Sequence, residues 1–152
     1  MSYLRFGAMI ATSTVVMFGL MYLNTYALDH VFFSQTRAWM ALYMGASMAV
    51  IMLAFMLGMY RNSALNAAVF LAAVLAFAVG VYLVRSQATI NDVAWMKAMI
   101  PHHSIAILTS ERADISDPRV RDLADAIIET QRKEIAQMKG LIDDLEGAQA
   151  GQ

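Results

Sequence analysis

Residues 37–61, RAWMALYMGASMAVIMLAFMLGMYR, hold 23 uncharged residues between two arginines. At about 1.5 Å of rise per residue, a helix of that length reaches roughly 34 Å, enough to cross a hydrocarbon core of about 30 Å. The spacing recurs on both sides: Arg5 and Asp29 enclose residues 6–28, and Arg61 and Arg85 enclose residues 62–84, again 23 residues each. In lipid the backbone has no water to bond to, so each run is expected to be a helix. The short Arg61-Asn62-Ser63 link makes the second and third runs an antiparallel pair. Tyr3, Tyr26, Trp39, Tyr43, Tyr60 and Tyr82 fall near the ends of the runs, where an aromatic belt is expected. The first run is longer than the apolar core of a signal peptide and reads as a retained helix.

Charge divides the chain in the same place. Residues 1–85 carry four arginines and one acid, Asp29, for a net +3; residues 86–152 carry seven basic and eleven acidic side chains, for a net −4. Of the 152 residues, 59% are hydrophobic, more than an ordinary soluble domain of this size holds. The balance gives no basic surface for nucleic acid. The absence of cysteine excludes disulfides, thiolate metal sites and cysteine nucleophiles. No charge falls inside a run, which argues against proton-coupled transport. Arg5 and Arg61 would face one side and Arg37 and Arg85 the other, so charge alone does not orient the chain. The expected organisation is a transmembrane domain over 1–87, with helices at about 5–28, 38–60 and 63–85, a soluble helical hairpin over 88–147, and a tail over 148–152.

In the hairpin, Thr89 followed by Asp92 resembles a capping box for a helix from about 91 to 114, kinked or broken at Pro101. Ser116-Asp117-Pro118 marks the start of a second helix, which ends near Gly147. At 100° per residue, Val120, Leu123, Ala124, Ile127, Met138, Leu141, Ile142 and Leu145 share one face of it. Gln131 and Glu134 interrupt that face, with Glu134 near its centre, where a carboxylate is costly unless paired, protonated or bound to a metal. On the preceding helix Met96, Met99 and His103 share a face, with His102 at its edge. Folding about 115–116 puts 103 opposite about 128 and 99 opposite about 132, which brings Met99 and His103 near Gln131 and Glu134, with Met96 and Met138 a turn away. Two readings stand side by side. In one, His103 and Glu134 form a buried ion pair or hydrogen bond and the methionines are core; in the other, the cluster binds a metal, with imidazole and thioether favouring Cu(I) and the carboxylate also tolerating Cu(II) or another divalent ion. Met40, Met44, Met48, Met52 and Met56, with Met59 beyond, draw a stripe along the second run; it reads as packing, with Gly45, Ala49 and Gly58 allowing close approach, or as a path for Cu(I) or Ag(I). His30 reads as a solvated loop residue.

The stretches Met96-Lys97-Ala98-Met99-Ile100-Pro101-His102-His103 with Ala106-Ile107, and Ile127 to Met138, resemble the domain-of-unknown-function 305 family. The resemblance covers about one third of the chain and none of the apolar runs. It implies a ferritin-like helical fold, export, and an association with copper or silver, with metal held at positions equivalent to Met99, His102, His103, Glu134 and Met138; Met96 and Gln131 are weaker candidates. Thr109 stands where the family usually has a further methionine, which thins the ligand set. The resemblance also implies that the hairpin lies outside the cytoplasm and the N-terminus inside. The expected class is therefore all-α: three transmembrane helices and a ferritin-like antiparallel hairpin in a bacterial inner membrane. The expected role is non-enzymatic binding of copper, Cu(I) by preference, or of silver, for sequestration or hand-off. Expected partners are membrane lipid, a second copy through the hairpin, and other copper-handling proteins. The alternative is an interaction protein that oligomerises through its hairpin and holds no metal.

Overall fold

In the computed structural model, which describes residues 2–150, the chain is all-helical, and no strand occurs among the described residues. Five α-helices follow in order: α1 (Tyr3–Leu20), α2 (Gln35–Met56), α3 (Ser63–Ser86), α4 (Asp92–Arg112) and α5 (Pro118–Ala150). The first three are long and apolar enough to cross a membrane. The chain divides into two compact units. One holds α1 with Gln35–Thr89; the other holds the loop Tyr22–Ser34 with the segment from Ile90 onward.

Within the first unit, α2 packs against both α1 and α3. Small residues set how closely the helices approach. A Cβ on Gly45 would collide with Thr14 of α1, and one on Gly80 would come within 3.0 Å of Tyr43 Cβ and 3.2 Å of the Trp39 carbonyl. Gly58, by contrast, meets nothing. Leu53 is fully buried in a cluster with Phe6, Ala49, Tyr60 and Ala73, against which Met52 and Met56 also pack. The lower part of the methionine stripe is thus core, while Met44 and Met59 face outward. Tyr60, expected in an aromatic belt, is 2% exposed, with its ring 4.9 Å from that of Tyr3 and 5.6 Å from that of Phe6. The turn beside it is closed by polar bonds: Tyr3 OH donates to Asn66 Oδ1 (2.8 Å), and Asn66 Nδ2 donates to the Tyr60 carbonyl (2.7 Å). Asn62 caps α3 by accepting from Leu65 N–H. Outward faces remain apolar, with Val15, Phe55, Leu71 and Leu75 all more than half exposed, as surfaces meant for lipid are.

Helix α1 is shorter than the uncharged run that contains it. It ends at Leu20, where the Arg37 guanidinium donates to the Met21 carbonyl at 2.7 Å and satisfies a free helix-end acceptor. Tyr26, expected at the end of this helix, instead lies in the loop of the second unit.

In the second unit, α4 and α5 form the antiparallel hairpin. The cap of α4 is Asn91, not Thr89: its side chain accepts from Ala94 N–H at 2.9 Å. The helix runs unbroken through Pro101, which is fully buried. Asp117 starts α5 by accepting from Arg119 N–H. That helix does not stop near Gly147 but continues to Ala150, since neither Gly140 nor Gly147 adopts the left-handed conformation that ends a helix. Of the 148–152 tail, residues 151 and 152 lie outside the described residues.

Two tests follow from these contacts. Gly45→Ala is expected to lower stability by about 1–3 kcal/mol through overpacking against Thr14, with partial recovery when Thr14→Ala is added, as measured by thermal unfolding in detergent. Asn91→Ala is expected to cost about 1 kcal/mol through loss of the α4 cap and to raise hydrogen exchange in the first turn of that helix.

Candidate metal centre

The seam of the hairpin is built from Met96, Ile100 and Ile107 of α4 and Ile135, Met138 and Ile142 of α5, all buried, with Met99, Ile128 and Phe32 packed against them. This is not quite the face expected for α5. Ala124, Met138 and Ile142 are buried, but Val120, Leu123, Leu141 and Leu145 are 48%, 61%, 45% and 39% exposed. The apolar stripe of α5 is wider than one neighbour can cover, and α4 takes the edge that includes Ile128 and Ile135. The rotation moves Glu134 from the centre of the seam to its margin, where its side chain is 45% exposed. The cost of holding a carboxylate there is correspondingly smaller than full burial implies.

His103 meets Glu134 across the seam, Nε2 to Oε2, at 2.9 Å. Position 103 therefore lies against 134 rather than about 128, because the Ala113–Asp117 link is extended and does not fold as a tight turn. The other ring nitrogen, Nδ1, lies 3.0 Å from the Met99 carbonyl of its own helix. A carbonyl oxygen only accepts, so Nδ1 carries a hydrogen and donates it, which aims Nε2 at the carboxylate. Nε2 and Oε2 lie within hydrogen-bond distance, so one hydrogen is shared between them. Imidazole nitrogen and carboxylate oxygen are also atoms that ligate metals. A histidine that donates one nitrogen to a backbone carbonyl and offers the other is the usual arrangement of a metal ligand.

The remaining candidates are placed around this pair. Met96 and Met138 are buried in the seam, and Met99 packs against them. Gln131 is half-buried. His102 is exposed, its ring edge-on to that of His103 with centroids 6.2 Å apart. Among the described residues, no three side chains of His, Asp or Glu gather into a metal-binding group. Any metal here would draw on imidazole, carboxylate and thioether together, a mixture that suits Cu(I) or Ag(I) better than a hard divalent ion.

A second polar cluster was not foreseen. His30, expected in solvent, is 13% exposed, and its Nδ1 lies 2.9 Å from Ser104 Oγ of α4. Ser104 is fully buried and also accepts Tyr26 N–H at 2.7 Å. Asp29 Oδ2 lies 3.9 Å from His30 Nε2 and 2.6 Å from Lys139 Nζ of α5. Arg132 stacks over the Tyr26 ring at 5.8 Å and pairs with Glu111. Ser104, His30 and Asp29 fall in the order of a hydrolytic triad, but the serine oxygen is sealed from solvent and engaged by an amide, with no room for a substrate. The signal in the sequence was Phe32 beside Asp29-His30: an aromatic residue in a loop needs cover, and the hairpin core provides it.

An uncharacterized protein of Acanthamoeba polyphaga mimivirus is 42% identical over 66 residues, which is 42% of this chain and 43% of that protein, so the chain spans less than half the length of that relative. No solved structure matches the chain significantly. Residues 84–152 match the family described as a domain of unknown function (DUF305), and this supports assigning the hairpin segment, though not the apolar helices before it, to that family.

Proposed function

We propose that this protein is a membrane-anchored metal-binding protein of the bacterial envelope, taking copper, as Cu(I) by preference, or silver for sequestration or hand-off. The observation that carries the reading is the His103–Glu134 contact, with Nδ1 anchored on the Met99 carbonyl so that Nε2 faces the facing helix. His103 and Met99 are the principal ligands, Glu134 and Met138 support them from α5, and His102 is an alternate donor; Met96 and Gln131 are weaker candidates. The role is binding rather than catalysis. Three crossings of a bacterial inner membrane put the loop Tyr22–Ser34 and the hairpin on one side, which fits their packing into one unit. With the N-terminus in the cytoplasm, that side is the extracytoplasmic one. Membrane lipid surrounds α1–α3, and other copper-handling proteins would exchange metal with the hairpin.

One observation favours a second reading. The His103–Glu134 pair closes directly, and the hairpin leaves Trp95 and Leu123 half or more exposed. A second copy laid on that side would complete a four-helix bundle with no metal.

Titration of the detergent-solubilised protein with Cu(I) is expected to show saturable uptake that is lost when His103→Ala and Met99→Ala are combined. No uptake, or uptake unchanged in the double variant, rejects the metal reading. Under the second reading, crosslinking yields a metal-independent dimer, and Trp95→Glu with Leu123→Glu returns it to the monomer.

A further inference from the structure

The loop Tyr22–Ser34 is tied to the hairpin by contacts that metal binding does not use. Ser104 Oγ accepts the Tyr26 amide, which leaves its own hydrogen to donate to His30 Nδ1 when the imidazole is neutral. The ring's other nitrogen then carries the hydrogen and turns toward Asp29 Oδ2. Asp29 is itself engaged by Lys139 of α5. Phe32 packs onto the hairpin core beside these bonds, and Tyr22 OH ties the loop ends together by accepting Ser34 N–H at 2.9 Å.

We propose that Tyr22–Ser34 is an acid-released strap: neutral His30 buttons it onto Ser104 of α4, and proton uptake by His30 detaches it and uncovers that side of the hairpin. The charges that meet His30 are Asp29 in its own loop and Lys139 on α5, while α4 presents the neutral Ser104. Arg132 and Glu111 pair with each other beside Tyr26. A protonated ring would be a second cation sharing one carboxylate with Lys139, and the ring itself is mostly covered while that carboxylate faces water. Burial holds the His30 imidazole below the usual histidine range; Asp29 opposes this and Lys139 adds to it. Asp29, held below the usual carboxylate range by its bond to Lys139, stays ionised throughout.

The sign follows from linkage. The attached ring resists a proton that the free ring accepts. Attachment is therefore complete above the ordinary histidine value of about 6.5, weakens as the pH falls below it, and levels off once the attached ring is protonated as well. None of this depends on a metal.

The test is hydrogen exchange on the full chain in lipid nanodiscs at about pH 7.5 and about pH 5, either side of that value, with intrinsic rates corrected for pH. Peptides covering 22–34 are expected to lose protection several-fold at the lower pH while the α4–α5 seam keeps its own. His30→Gln, which keeps a hydrogen-bonding side chain but does not titrate, is expected to abolish the difference. Equal protection of the parent loop at both values, or an undiminished acid loss in His30→Gln, overturns the proposal. If His30→Gln loosens the loop at both values, Lys139→Gln decides. With the competing cation gone, Asp29 favours the protonated ring, so a smaller acid loss than in the parent is expected, and an equal or larger one overturns the proposal.

Discussion

A backbone placed in lipid has to bond to itself, and α1, α2 and α3 are helices long and apolar enough to meet that requirement. Three helices that each crossed once would bring the loop after α1 and the segment after α3 out on the same side. The two are far apart in sequence, yet they form one compact unit, in which Ser104 receives Tyr26 and His30 and Lys139 receives Asp29. The loop between α1 and α2 is thus the third element of the hairpin unit.

Two helices alone bury little surface, and this hairpin shows how that shortage is met on one side and left open on the other. On the side of Ser104 and Lys139 the loop provides cover, with Phe32 packed into the core. On the side of Trp95 and Leu123 nothing among the described residues does. His103 and Glu134 sit where the seam gives way to that open side. Their position explains the mixed character of the site: the imidazole is held by its own helix, the carboxylate is half in water, and the thioethers lie just inside. The Met99 carbonyl and the Glu134 carboxylate thus face the two nitrogens of one ring.

The methionines separate by surroundings rather than by type. Met96 and Met138 fill the hairpin seam; Met52 and Met56 fill the contact between membrane helices; Met44 looks outward. A flexible, polarisable side chain adapts to each of these places, so a stripe of them at helical spacing specifies packing as readily as chemistry.

What the sequence determined by itself was whatever depends on local pattern: three uncharged runs of spanning length, a polar hairpin after them, and the presence of Met99, His103 and Glu134 on facing helices. Solvent preference and helical period decide these, and both are written residue by residue. The limits of α1, the true cap of α4 and the rotation of α5 required partners from elsewhere, such as the Arg37 guanidinium at the Met21 carbonyl. The placement of His30 is the clearest case. Its neighbour Asp29 supplies one contact, but its cover comes from a serine 74 positions later, which no local pattern brings beside it. Glu134 likewise left the middle of its stripe because α5 offers two adjacent apolar edges, and only the contact with α4 chooses between them.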